Sequence, residues 1–233
     1  MMFSPIAVFS AIASAITLKG PQIIIDYSVF IGSFYVSLFI LWAVIITVGY
    51  IFLKKDVFRL LKTVREPVVL GFATASSESA YPKLIVALEK FGVPNRVISF
   101  VLTLGDSFNL AVSMIYMSFA VLFIAQAYNI DLSISQQILM LLTLMITSKG
   151  IAGVSRASLV VIAATLAMFK LPEAGILLIL AVDHFLDMGR TATNIIGNSV
   201  ATAVIAKTES HKADENEIVL IQPLTPSEQN NSL

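Results

Sequence analysis

The sequence predicts an all-α integral membrane fold, and three observations carry the prediction. Hydrophobic residues make up 57% of the 233-residue chain and charged residues only 13%, with a mean hydropathy of +0.88. Soluble globular domains run near ~45–50% apolar and ~25% charged. Apolar runs such as residues 30–53 and 111–127 are also continuous, whereas the strands of a membrane barrel alternate over about ten residues. The third observation is the run at 176–207, long enough to span a bilayer yet carrying Asp183, Asp187, Arg190, Asn194 and Asn198. On a helix turning ~100° per residue, these five fall within an arc of roughly 80°, with Thr191 beside it. A charge at membrane depth costs about 3 kcal/mol on insertion scales, so such a stripe faces a bundle interior or a watery cavity and marks a solute or ion path. A soluble helix with a polar outer face is the alternative, and the composition argues against it.

Composition also excludes several functions. The 15 basic and 15 acidic residues balance, so no basic excess points to nucleic acid. With no cysteine there is no disulfide or thiol metal site. No phosphate-cradling glycine loop, metal-spaced histidine cluster or nucleophile elbow is present, which argues against an enzyme and against a cofactor. The apolar N-terminus lacks the basic region and small-residue cleavage site of a signal peptide, and reads as membrane structure.

Taken in order, residues 4–18 form a partial span, too short for the ~20 residues a crossing needs. Residues 27–53 form a full span with Trp42 and Tyr50 as interfacial anchors. Lys54, Lys55, Arg59, Lys62 and Arg65 follow, marking that end as cytoplasmic by the positive-inside rule. From Pro67 the chain is apolar, breaks at Thr74-Ala75-Ser76-Ser77-Glu78-Ser79 and turns apolar again. Two half-length segments about a serine-rich tip predict a re-entrant hairpin over 67–90. A span over 97–128 is interrupted at Gly105-Asp106-Ser107-Phe108-Asn109, a break of the kind that frees carbonyls for a cation. The hairpin pattern repeats over 135–170 about a polar stretch from Ser148 to Arg156, and the striped span over 174–207 follows. Two such units are the mark of an inverted repeat with its site at mid-membrane. Gly32, Gly49 and Gly71 are expected at close helix approaches. Met114, Met117, Phe119 and Phe123 sit at helical spacing and are expected to pack. The organisation is therefore 1–53, the end of one span plus a full span; 54–207, a core of two hairpin and helix repeats; and 208–233, a disordered cytoplasmic tail.

Four of these stretches resemble the dicarboxylate/amino acid:cation symporters, the family of bacterial glutamate and C4-dicarboxylate carriers. Ser76-Ser77-Glu78-Ser79-Ala80 with Pro82 is similar to the serine-rich tip of that family's first hairpin, and Ser107-Phe108-Asn109-Leu110 to the start of its broken helix. Ser148-Lys149-Gly150 through Gly153-Val154 resembles the second hairpin, and Asp187-Met188-Gly189-Arg190-Thr191 through Asn194 the last helix. The likeness runs from about residue 4 to 207. It implies the transport-domain portion of a glutamate-transporter-like fold, with two re-entrant helical hairpins and a broken helix, lacking the family's first four spans. Departures are Ala111-Val112 where the family has Asp-Gly, and Arg156 and Ser158 in place of tip glycines.

Residue roles follow from chemistry and from this likeness. Arg190 can grip a carboxylate bidentately at any working pH; the resemblance makes it the reader of the substrate's side-chain carboxylate. The alternative is a buried ion pair with Asp187 or Asp183. Asp187, one turn away, is placed to accept an ammonium group, which favours aspartate or glutamate. Thr191 and Asn194 offer donors and acceptors to the other carboxylate or, equally, helix–helix hydrogen bonds. Ser76 and Ser77 can bind a carboxylate at the tip or simply cap it; Gly153 and Val154 join the substrate set by resemblance. The cation set is Asn109, Gly105, Ser107, Ser148 and Asn198. Asn198 stands where sodium-coupled relatives carry an aspartate, which favours protons over sodium, with Asp183, Glu78 or His184 able to titrate. The expected function is symport of dicarboxylates or acidic amino acids with protons or sodium across the plasma membrane; the alternative is an inactive remnant or one half of a split carrier. Expected partners are a small anionic substrate and membrane lipid, with a homotrimer if the full scaffold is present.

Overall fold

The computed structural model describes residues 9, 10, 13, 17, 20, 22–108, 110–147 and 157–221. Among them every regular element is helical and none is a strand. The helices are α1 (Gln22–Leu53), α2 (Asp56–Thr74), α3 (Ser77–Phe91), α4 (Asn95–Phe108), α5 (Leu110–Ala127), α6 (Ile134–Thr147), α7 (Ala157–Met168) and α8 (Ile176–Ile221), the last preceded by a 3₁₀ turn at Glu173–Gly175. Among the described helices, α1 alone is long and apolar enough to cross a membrane by itself. Its 32 residues span roughly 48 Å at about 1.5 Å per residue.

α1 and α8 lie side by side and run the same way. The Tyr27 hydroxyl donates to the Leu178 carbonyl at 2.9 Å, the Tyr35 hydroxyl to Phe185 at 2.7 Å, and Trp42 Nε1 to Thr193 Oγ1 at 2.7 Å. At the next step, a Cβ placed on Gly49 would lie 2.9 Å from the Val200 side chain. The partners stay 150 or 151 residues apart, and steps of seven or eight keep one seam of each helix facing the other. α2 and α3 instead form an antiparallel helical hairpin. Arg59 reaches the Phe91 carbonyl, Lys83 pairs with Glu66, and Gly71 lies against Ala80, so the contacts converge on the turn at Ala75. Ala75 closes α2 in the left-handed region (φ 49°), and the Ser76 hydroxyl accepts the Ser79 N–H to start α3. Outside the apolar stretch, the hydrogen bond and charge of Lys83 hold the exposed Glu66 carboxyl below its usual range. α6 and α7 also pack on one another.

Two apolar cores share α8. The first joins α1 residues such as Phe34 and Leu38 with Met117 and Ile124 of α5, Met140 of α6, Ile162 of α7 and Ile179 and Leu186 of α8. The second joins Leu60 and Val64 of α2, Leu84 and Leu88 of α3, Ile98 of α4 and Ile195 and Val200 of α8. Thus the α2–α3 hairpin packs along the later part of α8 and the α6–α7 pair belongs to the earlier part. Residues 187–194 lie between the two cores.

Several boundaries differ from the sequence expectations. The first hairpin arm begins at Asp56 rather than 67, because its basic residues occupy the outer face of a helix whose inner face is apolar Val57, Leu60 and Val64. Gly105 stays helical, since a lone glycine costs a helix only about 1 kcal/mol and here lets α4 approach Asn198; α4 ends at Phe108, α5 starts at Leu110, and Asn109, the last residue of the expected break, lies outside the described residues. α8 continues to Ile221 although disorder was expected from 208, since no Gly or Pro occurs between Gly197 and Pro223 to stop it. The Trp42 N–H is tied to Thr193 of α8. Gly32 has nothing within 4 Å of where its Cβ would be, unlike Gly49 and Gly71. The expected packing is present for Met117 and Phe123, which are buried, and for Phe119, which lies against the first core. The partial span at 4–18 falls mostly outside the described residues.

A Cβ on Gly71 would lie 2.2 Å from Ile195 Cδ1 and 3.2 Å from Thr191 Cγ2. Gly71→Leu is therefore expected to lower stability by about 1–3 kcal/mol through overpacking, whereas Gly32→Leu leaves it unchanged or higher. Thermal unfolding of both variants in detergent micelles checks this, and equal losses would contradict the packing.

Candidate functional site

The polar stripe of α8 points away from α1. Counting ~100° per residue, the seam that meets α1 lies roughly opposite Asp183, Asp187, Arg190, Asn194 and Asn198. α4, α5 and α7 supply contacts to that polar face, and α2 packs beside it.

Arg190 is held by three elements. Its Nε donates to Asp187 Oδ1 at 2.9 Å, and an Nη lies 2.6 Å from the same oxygen. The other Nη donates to the Ser158 hydroxyl on α7 at 2.6 Å. The Tyr116 ring of α5 lies under the guanidinium, 5.7 Å from carbon to centroid, a cation–π contact. Tyr116 in turn donates its hydroxyl to Asp183 Oδ1 at 2.5 Å. The Arg190 and Asp187 side chains are only 17% and 13% exposed; Asp183, Tyr116 and Ser158 are buried. The buried-ion-pair alternative for Arg190 is thus realised with Asp187. Asp183 belongs to the same network through Tyr116.

Further along, Gly105 and Asn198 meet. A Cβ on Gly105 would fall 2.7 Å from Asn198 Oδ1, so the missing Cβ lets the α4 backbone approach this amide closely. Two members of the expected cation set are therefore neighbours. Thr191 is buried, with Cγ2 toward Gly71 of α2, and Asn194 is half-buried on the same face.

Other expected residues stand apart. Ser76 caps α3, and among the described residues neither Ser76 nor Ser77 is hydrogen-bonded to Arg190 or Asp187. His184 is exposed beside Phe185, a quarter-turn off the stripe, and Glu78 is exposed. Asn109, Ser148, Gly153, Val154 and Arg156 lie outside the described residues, and Ser107 is described only as helical backbone.

Tyr116 escaped the sequence reading because it sits in an unbroken apolar run with no periodic signal. The one available clue was general: a buried tyrosine hydroxyl needs a partner, and the buried carboxylates were few. Ser158 was legible as a departure from the family pattern but not as a partner of Arg190, since a pairing between α7 and α8 has no signature in sequence spacing.

Several known proteins are similar to this chain in sequence. The profile of the sodium:dicarboxylate symporter family matches residues 1–208. A proton/sodium-glutamate symport protein of Bacillus caldotenax is 42% identical over 216 residues, covering 92% of this chain and 51% of that protein. A proton/glutamate-aspartate symporter of Escherichia coli is 41% identical over 214 residues, 92% of this chain and 49% of its own length. A C4-dicarboxylate transport protein of Stenotrophomonas maltophilia is 41% identical over 221 residues, with 94% and 49% covered. The chain spans about half the length of the curated relatives it matches.

Asp187→Ala strands a sheltered guanidinium and is expected to lower stability by about 3 kcal/mol, whereas pairing it with Arg190→Leu recovers part of the loss. Unfolding of the single and double variants in micelles measures the difference. A double variant as unstable as the sum of both singles would show that the pair is not coupled.

Proposed function

Because the chain belongs to the sodium:dicarboxylate symporter family, we propose that its α8 face is the substrate surface of a symporter for dicarboxylates or acidic amino acids, driven by protons or sodium. The observation that supports it most is the state of Arg190. Two of its three nitrogens share one Asp187 oxygen, and the third is held only by a neutral serine hydroxyl. A substrate carboxylate is a stronger partner for a guanidinium than a hydroxyl is, so it replaces Ser158 while Asp187 keeps the arginine aimed. An incoming ammonium group finds Asp187, and Asp183 behind Tyr116, as the nearby carboxylates. Gly105 and Asn198 offer a neutral oxygen site, which suits a coupling cation held weakly.

In this reading the α2–α3 and α6–α7 pairs are re-entrant hairpins in the plasma membrane, the Lys54–Arg65 end and the C-terminus are cytoplasmic, and the complete carrier is a homotrimer.

Uptake of labelled aspartate and succinate into proteoliposomes, under a proton and then a sodium gradient, tests this reading. The symporter reading expects uptake by the chain, alone or with the preceding spans of a relative supplied separately. Arg190→Ala should abolish it, since losing a charged partner in a desolvated site costs several kcal/mol. Asp187→Ala should impair aspartate more than succinate. Undiminished uptake by the Arg190 variant would place the site elsewhere.

A further inference from the structure

At the corner joining α1 to α2 lies an open cleft of about 660 Å³, lined by Tyr50, Ile51, Lys54, Lys55, Asp56 and Lys207. It lies a full span's length from the opposite end of α1 and well past Arg190 along α8. Three ammonium groups surround it against one carboxylate, and Asp56 lies 4.0 Å from Arg59 as well. The third lysine arrives on α8: Lys207 lies two turns, roughly 10 Å, beyond Val200, the residue that faces Gly49 near the end of α1. Lys54 adds a second observation. It closes α1 with φ at 54°, in the left-handed region where glycine costs nothing and a side chain costs roughly 1–2 kcal/mol. Ala75 closes α2 in the same conformation, a common way for a helix to end in a sharp turn. At Lys54 the turn brings two consecutive lysines to the mouth of the cleft.

The surface leading to the cleft is apolar. Val44, Val48, Ile51 and Phe52 of α1 are all more than 45% exposed, and Phe58 of α2 is 58% exposed beside the Tyr50 ring. Exposed aliphatic residues suit acyl chains, tyrosine suits the membrane–water boundary, and a cluster of lysines just beyond it suits an anionic headgroup.

We propose that this cleft binds the phosphate of an acidic phospholipid, with Lys54, Lys55 and Lys207 around the headgroup and the acyl chains along the exposed face of α1. The site needs only that the chain lie in a membrane, and does not rest on the transport reading.

The test is thermal unfolding of the full chain in neutral detergent micelles with added phosphatidylglycerol, phosphatidylcholine or inorganic phosphate. Phosphatidylglycerol should raise the unfolding temperature in a saturable way, because a ligand that binds only the folded state stabilises it; phosphatidylcholine should not. The Lys54→Gln, Lys55→Gln, Lys207→Gln variant should weaken phosphatidylglycerol binding roughly tenfold or more. Lys62→Gln, Arg65→Gln, Lys90→Gln removes equal charge from exposed positions outside the cleft and should leave binding unchanged. Lys54→Gly separates folding from binding: it should raise the unfolding temperature without lipid and shrink the shift that phosphatidylglycerol gives. Equal weakening by the two triple variants would overturn the site in favour of unspecific attraction. An equal shift from millimolar inorganic phosphate would overturn the lipid as its occupant.

Discussion

Five polar side chains on one face of a single apolar helix cannot be left facing hydrocarbon, and the arrangement of the other helices follows from that constraint. α8 has a back, which α1 covers in a parallel register held by Tyr27, Tyr35, Trp42 and Gly49. It has a front, where Asp183, Arg190 and Asn198 meet partners from α5, α7 and α4 in turn and Asp187 pairs with Arg190. The apolar cores at its two ends leave the segment between them as the place where polarity is concentrated. Charge inside a membrane protein is retained where it handles solute or ion, so the same geometry that satisfies the stripe underlies the proposed site.

Satisfaction here is layered. The guanidinium and Asp187 offset one another, the neutral groups Ser158 and Tyr116 complete the donor and acceptor count, and Tyr116 passes a hydrogen bond to Asp183. Removing a neutral member leaves the charges paired, whereas removing Asp187 or Arg190 leaves a charge uncompensated at far greater cost. The network is therefore tolerant at the edge a ligand would replace and intolerant at its centre. Glycines serve a different end: at positions 71 and 105 the missing Cβ lets α2 and α4 come within contact of α8.

Much of this was legible in the sequence because intramembrane polarity is rare enough to stand out. The stripe from Asp183 to Asn198, the paired segments about Ser76, and the close approaches at Gly49 and Gly71 followed from periodicity and from the cost of charge in lipid. Boundaries were less legible. The first hairpin arm begins at Asp56 because a helix tolerates lysines and arginines on one face while burying Val57 and Leu60 on the other, and hydropathy averages that alternation away. Partners across helices were least legible: Tyr116 with Asp183, Ser158 with Arg190 and Trp42 with Thr193 are set by packing between distant segments. The family resemblance supplied a role for Arg190 but no hint that a serine on α7 would hold it.

The central claim is that the polar face of α8 is covered by neighbouring helices rather than by lipid. The chain has no cysteine, so an introduced pair reports on it without background. Gly105→Cys with Asn198→Cys brings Cβ atoms to the separation a disulfide needs, while His184 lies roughly 21 Å along α8 from Asn198 at about 1.5 Å per residue. Mild oxidation in native membranes should cross-link the 105/198 pair rapidly and leave a 105/184 pair reduced. Absence of a 105/198 cross-link in folded protein, or equal cross-linking of both pairs, would contradict the account.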